Sequence, residues 1–116
     1  MVKVYNKNEI GSKLEEIEKP IKGSWINMVS PTDEEIKNIC NELKISEDFI
    51  RDSLDEEEKP RIEIEEDDDT ILFVIDVPTI EMENDTYVYS TMPLGIIFVR
   101  DDFVITVSLR KYMVIE

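Results

Sequence analysis

Between Ile45 and Glu63 the hydrophobic period of the chain changes, and a proline marks the change. In ISEDFIRDSLDEEEKPRIE, the residues Ile45, Phe49, Ile50 and Leu54 recur at helical spacing, which leaves Asp48, Asp52 and Asp55 together on the other side. Ser46 is an N-cap candidate, with Glu47 and Asp48 in the first turn, where the helix dipole favours negative charge. Pro60 disfavours helical geometry in the residue before it, so this helix is expected to end near Glu58. Beyond it, Arg61-Ile62-Glu63-Ile64-Glu65 alternates polar and apolar, as a strand with one wet face does. A helix and a strand therefore meet at a corner set by Pro60.

The rest of the chain supplies more strands than helices. Val2 to Tyr5 reads as a short strand, and residues 8 to 19 as a charged, weakly periodic segment ended by Pro20. Gly23-Ser24 leads into a strand from Trp25 to Val29, stopped by Ser30-Pro31-Thr32. Thr32 and Glu35 form a capping box, because the threonine oxygen accepts from the N3 amide while the glutamate reaches back to the cap amide. The predicted helix runs from about 33 to 43, with Ile36, Ile39, Cys40 and Leu43 on one face, which makes Cys40 a core thiol. After an acidic turn at Glu66 to Asp69, Ile71 to Val77 is a nearly continuous apolar run. It predicts a central strand covered on both faces, with Ile71, Phe73, Ile75 and Val77 on one side and Leu72 and Val74 on the other. Further strands are expected at Thr86 to Ser90, Leu94 to Arg100 and Phe103 to Leu109, the last two joined by a tight turn at Asp101-Asp102. Gly95 inside a strand permits either a close backbone approach or a bulge. The fold class is α+β, close to α/β: a single domain over residues 1–116 with a mixed, largely antiparallel sheet and helices packed on it.

Composition excludes several function classes. A chain of 116 residues buries roughly two thirds of its unfolded surface, enough for one core. Apolar residues make up 41% of it, which argues for a folded body. No apolar run approaches the roughly 20 residues that cross a bilayer, and Met1 to Glu9 has no signal-peptide character. A single cysteine forms no internal disulfide. The net charge of -15, from 28 acidic and 13 basic residues, repels nucleic acid, and the lack of any histidine removes the commonest general base. Carboxylates without a histidine partner and three glycines outside any phosphate-cradling motif do not compose a catalytic centre, so no enzyme activity is expected.

The acidic helix face has its own chemistry. Like charges three and four apart destabilise a helix by about 0.2–0.5 kcal/mol per pair. A hard divalent cation relieves that repulsion, and magnesium takes oxygen ligands while keeping several of its waters. The competing reading is ordinary surface ion pairing, because Arg51 stands four residues from both Glu47 and Asp55.

Taken in order and spacing, Trp25-Ile26-Asn27, the Ile45–Glu63 block with Lys59-Pro60-Arg61, Pro93-Leu94-Gly95-Ile96-Ile97 and Ile105-Thr106-Val107 resemble the cytoplasmic N-terminal domain of CorA-type magnesium transporters. The resemblance covers roughly residues 24 to 110. It implies a cytoplasmic regulatory or sensor domain of a cell-membrane transporter whose pore helices and Gly-Met-Asn loop are not in this sequence. Asp52 matches the family's aspartate that contributes to a divalent-cation site between neighbouring subunits, for Mg2+ or another divalent ion such as Co2+. Its partner carboxylate is expected on a stalk helix after the last strand. Some members carry a further carboxylate just before this aspartate; here that position is Arg51, so a second site is not implied. The resemblance implies a homo-pentamer for a complete transporter, attached to the membrane only by its C-terminal helices, and a monomer or weak dimer for this segment alone. Trp25 and Pro60 read as structural. The alternative is a stand-alone acidic protein-interaction module that uses its charge to bind a basic partner.

Overall fold

In a computed structural model of the chain, residues 1–7, 14–54, 60–67 and 69–109 are described. Seven strands, β1 (Val2–Lys7), β2 (Leu14–Ile17), β3 (Ser24–Val29), β4 (Arg61–Glu65), β5 (Thr70–Glu83), β6 (Thr86–Val99) and β7 (Phe103–Ser108), form one sheet. The spatial order is β2-β1-β3-β7-β6-β5-β4. All neighbours pair antiparallel except β3 and β7, so the mixed, largely antiparallel sheet expected from sequence is present. Two helices, α1 (Asp33–Leu43) and α2 (Asp48–Ser53), carry the chain from β3 across one face to the far edge. From there β4 to β7 return as an antiparallel meander and close beside β3.

The core lies between that face and the helices. Ile36, Ile39, Cys40 and Leu43 of α1 and Ile50 of α2 pack with Ile26, Met28, Leu72, Val74, Ile97, Val99, Ile105 and Val107. Burial, and then the nearby Glu47 charge, push the Cys40 thiol up to about 11, as befits an inert core cysteine. The capping box of α1 is formed: Glu35 N–H donates to Thr32 Oγ1 at 3.1 Å and Thr32 N–H donates to Glu35 Oε1 at 2.9 Å. At the other end Lys44 takes a left-handed φ of 58°. The Arg100 guanidinium donates to the Leu43 and Lys44 carbonyls at 2.9 and 2.7 Å, placing a cation at the negative end of the helix.

Several expectations are corrected. Ile71–Val77 is part of a longer strand that is second from the sheet edge, and β7 occupies the middle. Its helix-side face is covered, with Leu72 and Val74 buried, whereas on the other face Ile75 is exposed, Ile71 and Phe73 are half-buried, and Val77 packs with the buried Met92 and Leu94 in a small second cluster. The reason is topological, since both helices belong to one crossover and lie on the same face. The two strands expected over 86–100 are one, because Pro93 lies just outside the β6–β7 register, which begins at Leu94. The tight turn centres one residue earlier than expected, on Arg100 and Asp101 with φ of 50° and 59°. Leu14–Ile17, read as a charged and weakly periodic segment, pairs with β1 as an edge strand. The α2 helix ends at Ser53 with Leu54 as its cap, and residues 55–59, including the expected end near Glu58, lie outside the described residues.

Beyond Val74 the β4 register stops, and before Leu94 the β7 register has not begun. From Ile75 to Met92, among the described residues, the ladder pairs β5 with β6 alone, and Asn84 and Asp85 close it at φ of 50° and 63°.

Candidate functional site

The α2 helix has only six residues, too few to be stable alone, so its place is fixed by what it touches. Ile50 is fully buried beneath it. Ser53, also fully buried, sits directly over Gly95 of β6, where a Cβ would fall inside the serine side chain. Of the two readings of Gly95, the structure shows the close approach. Ser53 Oγ donates to the Phe49 carbonyl at 2.8 Å, which satisfies the buried hydroxyl. Glu47 occupies the N-cap position without a side-chain bond to the helix-end amides, while Ser46 Oγ accepts from Asp48 N–H at 3.2 Å.

Held this way, α2 presents Asp48 and Asp52 to a cavity of about 220 Å³ whose walls also include Phe49, Glu63, Glu65 and Thr70. The β4 strand supplies its two glutamates because Arg61, Glu63 and Glu65 point to the helix side. Ile62 and Ile64 point the other way and are 63% and 67% exposed. The alternation was legible, but its direction was not: at this edge the polar side faces the helix and the apolar side faces solvent.

Asp52 is 45% exposed, and its Oδ2 accepts from Arg61 Nη2 at 3.2 Å. The same nitrogen donates to Glu63 Oε2 at 3.0 Å, so one guanidinium bridges a helix carboxylate and a strand carboxylate. Arg61 is 28% exposed, the more enclosed member of both pairs. Sequence reasoning overlooked it, although an arginine directly after the corner proline is within reach of a preceding acidic helix. Arg51 turns away from this cavity. It donates to Glu47 at 3.1 Å and to Asp33 of α1 at 3.0 Å, so its ion pairing ties α2 to α1. Asp55 lies outside the described residues.

The cavity offers carboxylate oxygens, the donor type a hard divalent cation takes. Among the described residues, however, no three Asp, Glu, Cys or His side chains are gathered closely enough to hold a metal ion. The donor set fits such an ion in kind, through the carboxylates of Asp48, Asp52, Glu63 and Glu65 that line the cavity.

The other motif residues do structural work. Trp25 stacks at a tilt on Tyr5, with ring centroids 5.0 Å apart, and its Nε1–H donates to Thr106 Oγ1 at 2.9 Å. Thr106 in turn donates to Asn27 Oδ1 at 2.9 Å. Trp25, Asn27 and Thr106 thus lace together the one parallel pair of the sheet, β3 and β7.

Residues 22–116 match the family model described as CorA-like Mg2+ transporter protein. The cobalt/magnesium transport protein CorA of Methanocaldococcus jannaschii is 31% identical over 87 residues, covering 75% of this chain and 25% of that protein. The complete structure of the CorA magnesium transporter from the same organism superposes with a TM-score of 0.70 at 23% identity, over 97% of this chain and 33% of that one. The structure of the soluble domain of that CorA gives 0.72 at 22% identity, over 97% of this chain and 42% of that one. The chain thus spans a quarter of the curated relative's length. Among the described residues no helix is long and apolar enough to cross a membrane.

Proposed function

This chain belongs to the CorA-like Mg2+ transporter family, a family of transporters rather than enzymes, and from that premise we propose that it is the cytoplasmic regulatory domain of a divalent-cation transporter. In this reading residues 1–116 form one N-terminal domain of a membrane protein, and Asp52 is its contribution to a cation site completed by a neighbouring subunit. Mg2+ is the expected ion, with Co2+ as a second candidate, since the curated relative is named for cobalt and magnesium transport. Bridging carboxylates of adjacent subunits would hold a closed pentamer, and loss of the ion would free the subunits to move. A site at ten times its dissociation constant stabilises the bound state by about 1.4 kcal/mol, so several coupled sites are needed for a decisive switch.

The observation that carries the proposal is the setting of Asp52: a partly exposed carboxylate at a cavity it shares with Asp48, Glu63 and Glu65, on a helix pinned to the sheet. The alternative, a stand-alone acidic module for a basic partner, rests on the charge of -15 alone. A single side of a site binds weakly, so millimolar Mg2+ should produce modest amide shifts in residues 48–54, reduced by Asp52→Ala and unchanged by Trp25→Phe. Shifts that localise elsewhere, or that survive Asp52→Ala, would remove Asp52 from the site.

A further inference from the structure

We propose that Arg61 is the resident cation of Asp52 and sets the divalent-cation concentration at which that carboxylate can be reached. The inference rests on the reading of Asp52 as a cation-site residue and adds a specificity-determining role for its partner.

Arg61 Nη2 lies 3.2 Å from Asp52 Oδ2 and 3.0 Å from Glu63 Oε2. A divalent ion approaching Asp52 from the cavity must compete with a charge already in hydrogen-bond contact. Glu63 gives that charge a second acceptor 3.0 Å away, so the guanidinium can yield Asp52 while remaining paired. The cost of yielding is therefore small, and the site is poised to exchange one cation for another. The position of Arg61 supports this: it begins β4 directly after Pro60, so its backbone is fixed by the β4–β5 register while its side chain spans to α2. Arg51 provides the contrast within the same helix. It carries the same charge but contacts Glu47 and Asp33, not Asp52.

Two consequences separate direct competition from the general field of one positive charge. Removing Arg61 should strengthen cation binding at Asp52 more than removing Arg51, although both changes add one unit of negative charge. The difference should persist when salt screens the general field, because the bond being removed is at contact distance.

The test is a Mg2+ titration of the chain, followed by the amide shifts of residues 48–54, at low and at 0.15 M ionic strength. Arg61→Gln should lower the half-saturation concentration at least threefold at both ionic strengths. Arg51→Gln should lower it by less than half that factor, and by less still at 0.15 M. Arg61→Met, which retains the aliphatic stem, is the second variant should the glutamine disturb the fold, and it should behave as Arg61→Gln does. Equal effects of the Arg61 and Arg51 changes, or no tightening with either Arg61 variant, would overturn the proposal. Asp52→Ala keeps the two levels distinct. If it abolishes the shifts while the Arg61 variants change nothing, only the role of Arg61 fails; if the shifts persist without Asp52, the reading of the site itself fails.

Discussion

Gly95 shows how one residue decides where the candidate site stands. Ser53 occupies the space a Cβ would need, and there is no room to share it because Ser53 is fully buried. Gly95→Ala should therefore cost about 1–3 kcal/mol, the usual range for forcing extra volume into a packed contact. Denaturant melts would measure this, and Ser53→Gly in the same chain should recover part of the loss, because the two changes share one contact. A loss under a few tenths of a kcal/mol would mean that α2 slides easily and does not hold Asp52 in place. Phe73 teaches the opposite lesson. Its ring packs edge-on against Phe98 at 5.6 Å on the uncovered face, so truncating it should cost less than the ~3–5 kcal/mol of a fully buried phenylalanine.

At the scale of elements, the local signals were the reliable ones. The capping box at Thr32 and Glu35, the strand at Trp25–Val29 and the period change across Pro60 each depend on neighbours a few residues apart, and each stands in the structure. What sequence could not give was direction and long-range contact. The Arg61–Asp52 bridge, the Ser53–Gly95 seat and the side toward which Ile62 and Ile64 point all depend on where a crossover of two helices comes to rest. Likewise the apolar run at Ile71–Val77 signals a strand whose two faces are apolar, which is not the same as a strand with both faces covered by this chain. Among the described residues, the outer part of the β5–β6 hairpin is the least supported element. Its Tyr89 is 73% exposed, and a two-stranded ribbon is marginal in water without further support. Amides of residues 79–90 should exchange with solvent much faster than those of residues 70–74 and 94–99, which have a neighbouring strand on each side. Equal protection along both strands would contradict that ordering.

Among the described residues the sheet carries helices on one face, while on the other Ile62, Ile64, Ile75 and Phe98 are exposed beside a small buried cluster of Met92 and Leu94. Contiguous apolar surface of this kind marks a place where something else packs. Strong self-association is still not expected of this segment, since 28 acidic residues against 13 basic ones oppose the approach of identical copies. Sedimentation should find a monomer or a weak dimer; a stable pentamer of the segment alone would show that the determinants of assembly lie within it. In the proposed reading, Asp52 senses a divalent cation on behalf of a transporter. This sensing is tested most directly by ion flux through a complete transporter carrying this domain, measured against cytoplasmic Mg2+ for the native sequence and for Asp52→Ala. The variant should keep its flux at low Mg2+ and need a higher Mg2+ concentration to close. An unchanged closing concentration would contradict it.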